Sequence, residues 1–177
     1  MILSNYKYTD KEKDEIIKSL TVLIDTREKK CEHITSYFDK AKIQYKTKAL
    51  PYGDYSFMVP KNEALDIPRD LLFYNDIIIE RKGSLEELSG NLTKERDRLE
   101  KELALAPQHK VLVVEGAGYD DMVKGNYNTQ YNNKSYWASI HSIWHKYDIP
   151  IIFMPDPSYT GFFIRGYFTY YLKQKLK

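Results

Sequence analysis

The chain has 177 residues, 42% of them hydrophobic and 29% charged, a balance that excludes intrinsic disorder and leaves enough chain for one domain with a substantial core. Lysines and arginines number 27 against 25 acids, a net of +2, so total charge singles out no polyanionic partner and any basic surface must be local. Cys31 is the only cysteine, which excludes an internal disulfide, an iron–sulfur cluster and a cysteine-rich zinc site and fits a reducing, cytoplasmic setting.

The start, MILSNYKYTDKEKDE, holds no apolar stretch of signal-peptide length, and runs such as VLVV and IIFM are too short to span a bilayer. Residues 10–20 (DKEKDEIIKSL) set Ile16, Ile17 and Leu20 on one helical side, which predicts a short helix. TVLID (21–25) is an apolar strand ending in an acid, and TREKK is a polar turn. EHITSYFDKAKI (32–43) repeats Ile34, Phe38 and Ile43 at helical spacing. QYKTKAL then reads as a strand, and PYGD as a turn leading into extended YSFMVP. Residues 61–74 (KNEALDIPRDLLFY) predict a hairpin or loop excursion.

In DIIIERK (76–82) the consecutive isoleucines demand burial on both faces of a strand. Ser84 and Glu87 have capping-box spacing at the start of LEELSGNL, and Thr93 with Arg96 make an imperfect box. KERDRLEKELALA follows as a helix with Leu99 and Leu103 inward, ended by Pro107. KVLVVE (110–115) is a buried strand, and GAGYDDMVKGNYNTQYNNK a long polar loop with room for one helical turn. SYWASIHSIWHKY (135–147) is a helix with Trp137, Ile140 and Trp144 as its buried stripe. IPIIFM (149–154) is a strand, and residues 158–176 form a closing aromatic helix. Strands alternating with helices predict a mixed α/β sheet covered by helices, in a single domain over 1–177.

Chemistry concentrates in three blocks. Along a strand Glu80 and Lys82 share a face while Arg81 points oppositely. With Asp54 on a neighbouring antiparallel strand, two carboxylates and an ammonium converge at one sheet edge. Two carboxylates are what magnesium commonly takes from protein, and such an ion polarises a phosphate. Lys82 would orient or deprotonate the attacking water, the latter only if its surroundings lower its pKa. Asp25, closing the first strand, offers a further ligand, and Arg27 a forked grip on phosphate. Each piece alone also reads as a solvated strand end or an Asx-type turn.

Together, Asp25-Thr26-Arg27-Glu28, Gly53-Asp54 and Glu80-Arg81-Lys82-Gly83-Ser84-Leu85-Glu86 resemble the nuclease domain of the XPF-type structure-specific DNA endonucleases. The signature of that family runs Asp-x-Arg-Glu, Gly-Asp and Glu-Arg-Lys-x-x-x-Asp. The likeness covers about residues 20–155. It implies an α/β, restriction-endonuclease-like (PD-(D/E)xK) mixed central sheet flanked by helices, dependence on magnesium or manganese, and cleavage of branched or flapped DNA. By position it implies Asp54 and Glu80 as metal ligands with Asp25 beside them, Lys82 as the catalytic lysine and Arg27 as a catalytic phosphate contact. Glu86 stands where the family has a catalytic Asp, with Glu87 as the alternative occupant of that role or simply the capping residue. The family's tandem helix-hairpin-helix and helicase-like regions are missing from the chain, so a stand-alone version of the kind carried by phages and bacterial mobile elements is expected. The rival is a catalytically silent DNA-binding or assembly subunit, and retention of every acid and the lysine favours the enzyme.

Arg81, Arg96 and Arg98 are candidate DNA contacts, although Arg96 and Arg98 lie among acids that could equally make pairs one helical turn apart on a solvated face. The Tyr- and Asn-rich segment 125–136 could stack on unpaired bases or be a plain connection. His141 and His145 are a turn apart, but HSIWH lacks the glutamate of a zinc protease motif and a third ligand. Gly116-Ala117-Gly118 lacks the third glycine of a dinucleotide fingerprint. Family nuclease domains tend to pair, so the tail residues Phe162, Phe163, Tyr167, Phe168 and Tyr171 read either as a homodimer surface or as a cap on the sheet.

Overall fold

Among the described residues, 7–177 of the computed structural model, seven strands form one mixed sheet. Residues 1–6 of the expected domain lie outside them. In chain order the elements are α1 (Asp10–Ser19), β1 (Thr21–Ile24), α2 (Glu32–Lys40), β2 (Tyr45–Thr47), β3 (Tyr55–Val59), β4 (Leu71–Leu72), β5 (Ile77–Lys82), α3 (Leu85–Thr93) and α4 (Arg96–Leu105). They continue as β6 (His109–Glu115), α5 (Tyr119–Lys124), α6 (Asn133–Tyr147), β7 (Ile151–Met154) and α7 (Thr160–Lys175). The strand order is β2-β1-β3-β5-β6-β7, with β4 paired to β3. β5, β6 and β7 run parallel, β1 runs parallel to β2, and β3 is antiparallel to both β1 and β5.

Alternation along the strands builds two large cores and a small third cluster of Leu23, Leu50 and Met58. Ile77 and Ile79 join Val111 and Val113 beneath α1, α2 and α7, which contribute Ile16, Ile34, Phe38, Ile164 and Phe168. On the opposite face Leu112 and Val114 meet Leu85, Leu88, Leu99, Leu103, Tyr136 and Ile140 from α3, α4 and α6. Each fully buried aliphatic side chain stabilises by roughly 1.5–3 kcal/mol, so the isoleucine run holds β5 at the centre of the sheet. The charged end of β5 is thereby fixed at a rigid edge.

Three local expectations are corrected. Ser84 Oγ accepts the Glu87 N–H, but the Glu87 carboxylate returns to the Gly83 N–H, so the box closes one residue early. Thr93 caps nothing; its hydroxyl donates back to the Ser89 carbonyl, as Ser and Thr do inside helices, and α4 starts after Glu95. The buried face of α6 is Tyr136, Ser139, Ile140 and Ile143, with Trp137 48% exposed and Trp144 half-buried. Leu85, Leu99 and Ile151 with their neighbours already fill that layer. The long polar loop does contain a short helix, α5. Among the described residues no helix is long and apolar enough to cross a membrane.

Candidate active site

The site begins at Gly53, whose φ is +66°. A Cβ there would meet Ile78 Cδ1 at 2.8 Å and the Ile79 carbonyl at 3.0 Å, so only glycine lets this turn press against β5. The approach lets the Asp54 N–H donate to the Ile79 carbonyl at 2.9 Å. Asp54 Oδ2 then accepts the Arg81 N–H at 2.7 Å. Lys82 Nζ donates to Glu80 Oε1 at 2.9 Å. Asp54, Glu80 and Lys82 line one cleft of about 180 Å³, together with Arg27 and Arg98.

Electrostatics marks these groups as one unit. Desolvation first, and the Glu80 carboxylate second, push Asp54 well above the ordinary carboxylate range. Desolvation pulls Lys82 down, but Glu80 and Asp54 outweigh it and leave its pKa raised. Lys82 is therefore an ammonium, and the lowered pKa that water deprotonation would need is not what the side chain has.

Asp25 is built differently. Its Oδ1 accepts the Arg27 N–H at 2.8 Å and Nε–H at 2.7 Å, and its Oδ2 accepts the Leu50 N–H at 2.6 Å. Burial raises its pKa, and the Arg27 and Leu50 bonds more than offset that, leaving it below the usual range. The Asp25 N–H also donates to the Asp54 carbonyl at 2.8 Å, which ties the two loops together. Asp25 thus holds Arg27 at the rim, while Asp54 and Glu80 face the cleft.

The remaining candidates separate. Arg98 lines the cleft, paired with Glu102 at 3.0 Å. Arg96 pairs with Glu100 and reaches Ser139, away from the cleft lining. Arg81 has a guanidinium only 7% exposed, shared among Glu28, Glu115 and the Lys30 carbonyl. Glu86 accepts the Asn128 N–H at 2.8 Å and is not in the cleft lining, while Glu87 closes the α3 cap. His141 bonds the Tyr119 hydroxyl, and His145 is exposed. Tyr52, Asn91, Glu95 and Glu102 also line the cleft. For Glu95 and Glu102 the signal in sequence was only helical phase with Leu99 and Leu103, and for Asn91 phase with Leu88 of α3, legible once those leucines are known to face inward.

Among the described residues no three His, Cys, Asp or Glu side chains cluster tightly enough to hold a metal alone. Asp54 and Glu80 nevertheless fit a hard divalent cation. They are oxygen donors in one cleft, their mutual repulsion raises one pKa, and magnesium usually takes one or two carboxylates and completes its shell with water and phosphate.

A family model described as the ERCC4 domain matches residues 24–166. The fold is similar to XPF from Aeropyrum pernix, with TM-score 0.62 and 22% identity over 85% of this chain and 61% of that one. It is similar to the same organism's XPF in complex with DNA, with TM-score 0.63 and 23% identity over 89% of this chain and 67% of that one. The chain thus spans about three-fifths of the first and two-thirds of the second. No curated protein sequence matches it significantly.

Proposed function

The chain belongs to the ERCC4 domain family, and from that premise we propose that it is a divalent-metal-dependent endonuclease that hydrolyses phosphodiester bonds in branched or flapped DNA. The observation that carries the reading is the shared cleft: Lys82 bonded to Glu80 at 2.9 Å, with Asp54 held by the Arg81 N–H at 2.7 Å. Asp54 and Glu80 would hold magnesium or manganese, which supplies a Lewis acid for the phosphate and for charge on the leaving oxygen. Lys82, kept charged, orients the attacking water and offsets negative charge on the phosphate. Arg27, aimed by Asp25, presents forked donors to a phosphate oxygen, and Arg98 contacts the strand from across the cleft. Both carboxylates and the lysine are fixed by the sheet, so the site is organised before DNA arrives.

Flap, fork, junction and linear DNA incubated with and without magnesium and manganese test the reading. Metal-dependent cutting of the branched substrates that is lost in Asp54→Ala supports it. Binding without cutting under every condition would replace it by the silent DNA-binding subunit.

Pairing of two copies is part of the proposal. Phe168 is buried in the core and Phe163, Tyr167 and Tyr171 lean on it, but Phe162 and Tyr170 are each 65% exposed. Light scattering of the wild type against Phe162→Ser with Tyr170→Ser reads out whether that face joins two copies.

A further inference from the structure

The face of β5 opposite the cleft carries a buried ionic bridge that no part of the proposed chemistry uses. Arg81 Nε and Nη2 donate to the two oxygens of Glu28 at 3.2 and 2.9 Å, and Nη2 also donates to the Lys30 carbonyl at 2.9 Å. Nη1 donates to Glu115 Oε2 at 2.5 Å. The other oxygen of Glu115, Oε1, lies 2.8 Å from Nε2 of His33, on the first turn of α2. The Glu28 and Glu115 side chains are 8% and 3% exposed. The bridge therefore ties the ends of β5 and β6 to the loop that leaves β1 and to the helix that follows it.

We infer that Glu115 and His33, which lie outside the three sequence blocks, are positioning residues for the cleft, acting through Arg81 and Glu28 to fix Arg27. The inference rests on the nuclease reading. Residue 81 works on both faces: its N–H holds Asp54 while its side chain holds Glu28, the immediate neighbour of Arg27. Glu28 in turn accepts the Lys30 N–H at 3.2 Å, so the loop is shaped around the fork. A buried guanidinium with two carboxylates is costly unless every partner is in place, because each charge has lost its water. Neutralising Glu115 leaves Arg81 with one carboxylate and His33 with a weaker partner. The 26–31 loop is then free to shift, and Arg27, 65% exposed and anchored among the described residues by Asp25 and the Leu50 carbonyl, shifts with it. This is the logic by which outer partners orient the groups that touch substrate, where losing one costs about 10–100-fold.

The test is a double-mutant cycle on metal-dependent cleavage together with hydrogen exchange of the DNA-free protein. Glu115→Gln is expected to lower turnover by about 10–100-fold with little change in KM. In an Arg27→Ala background the same change should cost less than about twofold, because the residue it positions is gone. Equal losses in both backgrounds would overturn the inference, since a merely structural bridge gives additive effects. Amides 26–31 should exchange about tenfold faster in Glu115→Gln while those of α7 do not change; unchanged exchange at 26–31 also overturns it. If Glu115→Gln does not fold, His33→Gln, at a side chain 31% exposed, replaces it, with roughly threefold faster loop exchange expected. Failure of the wild type to cut would sink the nuclease reading instead, and the exchange measurement would still decide the bridge.

Discussion

The N–H of Arg81 donates to Asp54 Oδ2 at 2.7 Å, so the residue between Glu80 and Lys82 supplies the bond that brings a carboxylate from a separate turn to their side. A strand edge donates its N–H groups in a fixed direction whatever the side chain. The position of Asp54 is therefore set by backbone, and substitutions of its charge can be made with little loss of shape.

Asp54→Asn keeps an acceptor for that N–H and removes a charge whose pKa is raised first by burial and second by repulsion from Glu80. Its metal-free melting temperature should rise, by about 2–4 °C for each kcal/mol of strain relieved. Added magnesium or manganese should raise the melting temperature of the wild type and not of the variant, since a ligand stabilises only the state it binds. Cleavage should fall by more than about a hundredfold. Calorimetry with and without metal checks it, and a variant that melts below the metal-free wild type would contradict a destabilising buried charge at Asp54.

Lys82→Met keeps the apolar stem but leaves Glu80 and Asp54 without their ammonium. Breaking a buried pair of this kind costs about 3 kcal/mol, and the Lys82 and Glu80 side chains are 10% and 15% exposed. Urea unfolding should show the loss, cleavage should drop by more than about a hundredfold, and DNA affinity should be largely kept. Full activity in Lys82→Met would remove lysine from the chemistry.

Arg27→Lys tests whether a fork rather than a charge is needed. Arg27 meets Asp25 Oδ1 through both its N–H and its Nε–H and reaches the Leu50 carbonyl with Nη2 at 3.2 Å. A lysine keeps the charge and loses that geometry. Turnover should fall about a hundredfold while the melting temperature changes little, because the side chain is largely exposed. Single-turnover kinetics distinguishes this from weaker DNA binding.

Much of this site was legible in sequence because its reasons are local. Three isoleucines before Glu80 require a buried strand, and a period of two then places Glu80 and Lys82 together with Arg81 opposite. Gly53 before Asp54 marked a tight turn, though not that it presses on Ile78. What sequence did not show depends on distant partners. Arg81 reads as a free cation until Glu28 and Glu115 are seen to consume it. Asp25 reads as a ligand until its oxygens are seen to be taken by Arg27 and Leu50. Trp137 and Trp144 fall on one helical stripe with Ile140, yet burial is decided by which side of α6 meets α3 and the sheet, and Ile143 and Ser139 take it.

The far wall of the cleft depends on how firmly α4 is held, and beside the buried Leu99 and Leu103 one carboxylate ties it to α6. Glu100 accepts Lys146 Nζ at 2.5 Å, the Tyr147 hydroxyl at 2.6 Å and Arg96 Nε at 2.8 Å, which joins α4 to the end of α6. The bonds from Lys146, Tyr147 and Arg96, in that order, lower its pKa to about 2, against an ordinary 4.5. A folded-state pKa below the unfolded one means that the unfolded chain binds the proton more readily. The contribution is therefore complete above about pH 4.5 and disappears as pH falls toward about 2. Glu100→Gln should be less stable than wild type by about 1 kcal/mol near neutral pH, a value discounted because the pairs face solvent. The gap should close as the pH of urea unfolding is lowered from about 6 to about 2.5. A gap that stays constant across that range would show that the amide disrupts packing rather than charge. Because Arg98 and Leu99 of the same helix line the cleft, a Glu100→Gln protein that loses stability and also cuts more slowly at neutral pH would place the α4–α6 tie within the machinery that keeps the cleft in shape.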